Sequence, residues 1–305
     1  MKIAIIGRSE TLFETALLLK KNGHEIVCIL TSKEADEYTK TTDDFRNLAQ
    51  DWKVSFAQGP RILEHKKMLK NSHADIAISI NYTGIIPKEV IDLFPFGILN
   101  GHAGDLPRYR GNACQAWAIL NGEDQIGLCI HKMVGGELDS GDIITRDYFS
   151  IDHTTKITKV MEWIRKRTPE LMLEATELLK KSPNYYLEKQ SADRTRALRC
   201  YPRKPEDGKI DWSKSAIEIL RLINASNRPY SGAFCFYGNH KMKIWDAEIC
   251  APENFLAIPG QITFFDERCI EVATGSGKLR LMDIEVGSKL ILPSETIKSL
   301  RDRLT

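Results

Sequence analysis

Apolar and polar positions change period repeatedly along the first half of the chain. Residues 2–7, KIAIIG, form an apolar run of strand length. Residues 11–23, TLFETALLLKKNG, space their apolar side chains for a helix closed by glycine, and 24–30, HEIVCIL, return to a strand. Helical spacing recurs in 43–52, DDFRNLAQDW, and 61–71, RILEHKKMLKN, while 74–80, ADIAISI, and 96–100, FGILN, read as two further strands. This alternation predicts an α/β fold: a doubly wound, mostly parallel sheet with helices on both faces. Ligands of such sheets bind beyond the carboxyl ends of the strands, and Asn100 stands at one of those ends.

The pattern changes after residue 126. GLCIHKM (127–133) leads into a glycine-rich loop, GGELDSGDII, and then into the strand-like IITRDYF (143–149). Apolar residues at helical spacing follow from Ile157 to Lys181, interrupted at Thr168-Pro169, where proline suits the first turn of a second helix or a kink. Residues 181–208 are polar, charged and without period, which reads as a linker. A helix over 213–225 and short runs at 232–238, 240–250, 260–266, 269–275 and 278–286, set between glycine turns, predict a small OB-like antiparallel barrel. Two domains are therefore expected, 1–200 and 201–305, in keeping with a chain of 305 residues.

Charge and cysteine usage narrow the classes. Forty-three Lys and Arg against 41 Asp and Glu leave a net charge of +2, and residues 201–305 hold 15 basic and 14 acidic residues, so no basic field for nucleic acid is expected. Seven scattered cysteines without a CxxC pair suggest neither a metal site nor a disulfide framework, and fit a cytoplasmic protein. No run reaches membrane length, and the apolar start is too short for a signal peptide, so no membrane partner is expected. The first strand-to-helix turn, IIGRSETLF, lacks GxGxxG, and no GxxxxGK[ST] loop occurs, which sets aside a dehydrogenase and a P-loop enzyme.

The chemistry concentrates in NGHAGDLPRYRG, residues 100–111, where a buried strand runs into a side-chain amide, a glycine and a histidine. Asn-Gly alone marks an ordinary turn. Asp139 and Asp142 in the glycine-rich loop likewise read singly as turn formers, because Asp accepts bonds from nearby backbone amides. His131, on a strand, reads as a packed or supporting residue.

Taken together, the spaced set does more. Asn-x-His, Leu-Pro, an aromatic-x-Gly, His-x-Met and Leu-Asp-x-Gly-Asp, all within NGHAGDLPRYRGNACQAWAILNGEDQIGLCIHKMVGGELDSGDII, resemble the core of the formyltetrahydrofolate-dependent formyltransferases. RKPEDGKIDWSKS and RPYSGAFCFYGNHKMKIWDAEIC further resemble the barrel domain of the UDP-linked aminoarabinose enzyme, so the likeness extends over nearly the whole chain. Methionyl-tRNA formyltransferase is the more distant branch of this resemblance. Where the tRNA and arabinosamine branches carry Ser-Leu-Leu-Pro after the histidine, this chain has Ala103-Gly104-Asp105-Leu106-Pro107, a difference on the acceptor side.

The resemblance implies N-formyl transfer from N10-formyltetrahydrofolate, without a metal, by Asn100, His102 and Asp139. Formyl transfer to an amine passes through a tetrahedral adduct. An amide such as Asn100 can meet its oxyanion without titrating. His102 has the near-neutral basicity to take the amine proton, and Asp139 would orient the imidazole. The resemblance also implies that Asn81, Tyr82, Thr83, Gly84, Ile85 and Ile86, with Leu138 and Asp142, border the folate, and that Arg108, Tyr109, Arg110, Arg203 and Lys204 meet the acceptor.

The leading expectation is a nucleotide-linked amino sugar as acceptor, for surface polysaccharide or lipopolysaccharide synthesis, with homodimerisation as a further expectation. Methionyl-tRNA formyltransferase is the alternative enzyme, opposed by the mixed-charge segment TSKEADEYTKTTDDFRNLAQ, where tRNA enzymes carry a Gly- and Lys/Arg-rich insertion. A non-catalytic binding protein is the alternative of another class, opposed by the complete Asn100, His102 and Asp139 set.

Overall fold

The computed structural model describes residues 1–191 and 193–305. Two compact units emerge. The first comprises Met1–Cys114, Ile126–Phe149 and Glu162–Cys200; the second comprises Gln115–Gln125, Ser150–Met161 and Tyr201–Thr305.

The first unit is built on strands β1 (Lys2–Gly7), β2 (Glu25–Thr31), β3 (Ser55–Gln58), β4 (Ile76–Ile80) and β5 (Ile98–His102). A short strand β6 (Tyr109–Gly111) precedes β7 (Gln125–Lys132) and β8 (Ile143–Ser150). The sheet order is β3-β2-β1-β4-β5-β7-β8. Pairings from β3 to β5 are parallel, and β5 meets β7 antiparallel. Helices α1 (Glu10–Lys21), α2 (Thr42–Trp52), α3 (Lys66–Asn71) and α4 (Lys88–Ile91) make the crossovers. The continuous apolar runs follow from this layering. Ile3 and Ile5 of β1 pack on one face with Leu12 and Phe45, while Ala4 and Ile6 pack on the other with Leu69 and Val90, so both faces are buried.

Two expectations change here, and one open alternative is decided. The helix α5 (Cys114–Asn121) is followed by α6 (Ile157–Lys181), a single element with Pro169 inside it rather than a helix pair. Pro169 has no N–H to offer the Arg165 carbonyl, while the Thr168 hydroxyl donates to the Ile164 carbonyl at 2.7 Å, so the local loss is contained within one turn. Strand β5 does not end on Asn100 but continues through Gly101 to His102, paired with β7. The stretch read as a linker, which includes Ala192 outside the described residues, is partly structured. Glu188 bridges Ile143, and Leu198–Cys200, strand β9, pairs in parallel with β6.

In the second unit, α7 (Ala216–Ala225) begins on a Ser215–Glu218 capping box. It packs with β10 (Ala233–Tyr237), β11 (His240–Ile249), β12 (Ile262–Phe265), β13 (Ile270–Ala273) and β14 (Lys278–Val286) around Ile219, Ile223, Met242, Ile244, Val272 and Leu281. The strand order is β10-β11-β14-β13-β12, with β15 (Lys289–Ile291) on β14 and a short helix α8 (Pro293–Thr296) after it.

The tail closes this sheet into a barrel. Thr305 exchanges backbone bonds with Phe236 at 2.9 and 2.7 Å, Leu304 donates to Gly260 at 2.8 Å, and Ile262 donates to Asp302 at 3.2 Å. Phe236 of β10 and Ile262 of β12 are thereby bonded to the tail, which shortens the run of unpaired amides on both edges. Leu304 is 1% exposed in the core beneath. Leu304→Ala should therefore destabilise this unit by about 2 to 5 kcal/mol, read from the midpoint of denaturant unfolding. Among the described residues, no helix is long and apolar enough to cross a membrane.

Candidate active site

Asn100, His102 and Asp139 converge, although the sequence places the aspartate on a separate loop. Residues two apart on a strand share a face, so β5 presents Asn100 and His102 together. On β7, the residue directly opposite Asn100 is His131. Cross-strand partners lie close enough for their side chains to touch. Asn100 Nδ2 and His131 Nε2 are 3.2 Å apart, and His131 Nδ1 lies 2.9 Å from the Lys132 carbonyl. Because a carbonyl only accepts, His131 carries its proton on Nδ1, and its Nε2 accepts from Asn100. One hydrogen of the Asn100 amide is used in this way, and the other is open to a second acceptor.

His102 is assigned by the same logic. Its Nε2 lies 2.8 Å from the Tyr109 carbonyl, so Nε2 donates and Nδ1 keeps the lone pair. Nδ1 faces Asp139 Oδ2 at 3.6 Å, while Asp139 Oδ1 is 3.5 Å from His131 Nε2. Burial pushes the His102 pKa down; the Asp139 charge opposes this and the His131 ring adds to it, and the net direction is below the usual histidine value. His102 is therefore a neutral base. Burial acts to raise the Asp139 carboxyl; opposing it are the His102 and His131 rings, which attract the carboxylate once they carry a proton, and the Gly111 amide, and the net direction is well below the usual carboxylate range. The Gly111 N–H donates to Asp139 Oδ2 at 2.9 Å. Asp139 also adopts φ 48°, a left-handed conformation that residues other than glycine rarely take without support.

Two glycines make this arrangement fit. Gly101 lies between Thr168 and Ile80, where an added Cβ would come within 3.1 Å of the Thr168 methyl, so its smallness serves the approach of α6. Gly104 is tighter: a Cβ there would lie 2.5 Å from His102 Nε2 and 2.6 Å from the Tyr109 carbonyl. The Ala103-Gly104-Asp105 stretch is thus matched to the hydrogen bond that fixes the His102 tautomer. Gly104→Ala should lower kcat by roughly 10²-fold through misplacement of the imidazole, with thermal unfolding and both KM values measured to separate this from lost binding.

The segments expected to border the folate are brought side by side. Gly135 packs against the Lys88 backbone, so the loop carrying Leu138 and Asp142 adjoins the one running from Asn81 to Ile86. Asn81 has φ 55° and accepts from Arg8 Nε through its carbonyl. Tyr82 donates to the Gly59 carbonyl at 2.9 Å, and burial pushes its hydroxyl up to about 12. Thr83 is exposed, Gly84 packs on Pro60, and Ile86 is buried. Ile85 is 85% exposed and Leu138 43%, two apolar side chains offered at the surface of these loops. The Asp142 carbonyl accepts from the Lys132 amide.

The acceptor candidates divide. Arg108 is exposed and stacks on the Tyr109 ring at 5.1 Å. Tyr109 is itself buried, and its carbonyl rather than its ring serves the site. Arg110 donates to Gln190 at 2.8 Å. In the second unit, Arg203 donates to the Asp207 carbonyl and the Ser226 hydroxyl, and Lys204 is exposed. Sequence reasoning missed Gln190 and the backbone groups of Tyr109 and Gly111, because nothing in their identity marks such contacts.

A neutral buried base, a carboxylate facing it and an amide donor on the same face define a site for acyl transfer to a nucleophile. The family model described as Formyl transferase matches residues 1–176, and the one described as Formyl transferase, C-terminal domain, matches residues 203–301. The chain belongs to the formyl transferase family, and it is an enzyme of that family. It is 30% identical over 295 residues to the methionyl-tRNA formyltransferase of Alkaliphilus oremlandii, covering 95% of this chain and 93% of that one. Relatives of that name are therefore nearer in sequence than the expected ranking allowed.

Among solved structures, the chain resembles an N-formyltransferase from Helicobacter canadensis in complex with folinic acid and dTDP-3-aminofucose. The TM-score is 0.66 at 17% identity, covering 92% of this chain and 98% of that one. It also resembles HypX from Aquifex aeolicus in complex with tetrahydrofolic acid, with a TM-score of 0.64 at 18% identity. That match covers 98% of this chain but 47% of HypX, about half of the longer protein. At these identities the structural likeness speaks for the fold.

Proposed function

We propose that this enzyme transfers the formyl group of N10-formyltetrahydrofolate to the amine of a nucleotide-linked amino sugar. The acceptor amine attacks the formyl carbon, and the carbonyl electrons move onto oxygen, where the second Asn100 N–H stabilises them. The nitrogen gives its proton to His102 Nδ1. The imidazolium so formed lies between the Tyr109 carbonyl and the Asp139 carboxylate, both of which favour the added charge. Collapse of the adduct breaks the bond to the folate nitrogen, which takes the proton back from His102. Exposed Ile85 and Leu138 are suited to the flat apolar donor.

The observation that carries the acceptor assignment is charge. Between β2 and α2, residues 32–41 hold Lys33 and Lys40 against Glu34, Asp36 and Glu37, a net of −1, and residues 201–305 hold 15 basic and 14 acidic residues. Gripping a tRNA backbone calls for a concentration of Lys and Arg that neither segment supplies. The Helicobacter canadensis enzyme, whose complex contains a dTDP-linked amino sugar, supports the same reading. A second reading, initiator methionyl-tRNA as acceptor, is favoured by the name of the Alkaliphilus relative.

A panel of dTDP- and UDP-linked amino sugars and charged initiator tRNA, assayed with one formyl donor, separates the two. Turnover of at least one amino-sugar nucleotide with none of the tRNA is expected. Efficient tRNA formylation without sugar-nucleotide turnover would refute the proposal.

A further inference from the structure

The aspartate of the site is held in place from outside the β5 and β7 strands. Gln190, within the stretch that reads as a linker, donates through Nε2 to the Asp139 carbonyl at 2.9 Å and to the Gly141 carbonyl at 2.7 Å. Its Oε1 accepts from Arg110 Nη2 at 2.8 Å. Both amide hydrogens and the amide oxygen are engaged. On one side they grip the loop that carries Asp139; on the other they grip the strand whose Tyr109 carbonyl holds His102 and whose Gly111 amide holds the Asp139 carboxylate. The nearby bridge between Glu188 and Ile143 fixes the approach of this segment.

We propose that Gln190 is a positioning residue for formyl transfer, clamping the Asp139 loop to the Tyr109–Gly111 strand so that the Asp139 carboxylate faces His102. The inference rests on the roles given above to Asn100, His102 and Asp139. Asp139 holds a left-handed backbone conformation, φ 48°, which persists only where the surroundings enforce it. Gln190 bonds to the carbonyl of that same residue and to the one two positions on. Glutamine suits the position because it offers two donors and one acceptor at one reach. Glutamate keeps the size and the acceptor for Arg110 but turns a carboxylate towards two carbonyls.

The consequence is readable in the pH dependence. The titratable and charged groups facing His102 are Asp139, His131, Arg110 and Cys114, whose Sγ is 3.7 Å from Nε2. Of these, only Asp139 strengthens proton binding at His102 through its negative charge; His131 and Arg110 weaken it. If the Asp139 loop relaxes away, His102 protonates at a lower pH, and the acid limb of kcat, where the base is lost to protonation, moves down with it.

Full-length Gln190→Glu and Gln190→Met should be assayed from acid to neutral pH with the acceptor turned over fastest in the panel above. Both are expected to lower kcat by roughly 10²-fold, with KM for donor and acceptor changed by less than about threefold, and the acid limb is expected to shift to lower pH in Gln190→Met, which adds no charge. The glutamate variant preserves volume and serves if the methionine variant folds poorly. Wild-type kcat in the glutamate variant, or a lower kcat with an unmoved acid limb in the methionine variant, would overturn the proposal. His102→Ala in the same assay separates the two levels. Loss there without loss in the Gln190 variants removes only this inference, whereas full activity in His102→Ala removes the reading of the site itself.

Discussion

Asp139→Asn is expected to lower kcat by about 10² to 10⁴ while both substrates bind nearly as before. The substitution keeps the side-chain volume and an oxygen for the Gly111 N–H, which now donates to Asp139 Oδ2 at 2.9 Å. What it removes is the negative charge 3.6 Å from His102 Nδ1, where the proposed mechanism forms the imidazolium. Without that charge the imidazole binds a proton less readily, so the acid limb of kcat should also move to lower pH. Steady-state kinetics with the acceptor varied at saturating donor, together with direct titration of acceptor binding, make the measurement. Near-normal kcat would return Asp139 to the role of a loop-forming residue. A raised KM with kcat kept would make it a binding contact instead.

Asn100→Ala should lower kcat by about 10² to 10³, equivalent to roughly 3 to 4 kcal/mol of transition-state stabilisation. In the proposed mechanism Asn100 lends an N–H to the developing oxyanion and carries no charge, so the acid limb of the profile should keep its position while its amplitude falls. His131 Nε2 also loses its 3.2 Å partner, but its Nδ1 bond to the Lys132 carbonyl remains to hold the ring. A displaced acid limb in Asn100→Ala would show that the amide acts through the imidazoles rather than on the substrate oxygen.

Much of the fold was legible because burial writes a simple pattern. Strands covered on both faces, such as β1 and β4, must be continuously apolar, and α1 and α2 must carry one apolar stripe. Strand β3 was not legible: its four residues, SFAQ, are exposed or half-buried and leave no period to read. Nor was the closure of the barrel, since the pairing of residues 302–305 with both β10 and β12 depends on a geometry that exists only once the other strands have formed. That Asn100, His102 and Asp139 belong together could be anticipated from a spaced motif, and the structure places them side by side. The cross-strand register that sets His131 against Asn100 could not, because it depends on the antiparallel pairing of β5 with β7. Tyr109 and Gly111 contribute backbone groups, on which side-chain identity is silent. Gln190 lay in a stretch whose polarity is that of a solvated linker, and only its three hydrogen bonds distinguish it.

The central claim is that Asn100, His102 and Asp139 work on one adduct as one unit. Single-turnover formyl transfer by the wild type, by Asn100→Ala, His102→Ala and Asp139→Asn separately, and by the triple variant, tests this most directly. Groups that act as a unit lose nearly as much singly as together. The His102→Ala rate is expected to approach that of the triple variant, and the three single losses, added as free energies, to far exceed the loss in the triple. Losses that simply add, or a His102→Ala variant that transfers formyl at the wild-type rate, would contradict this claim.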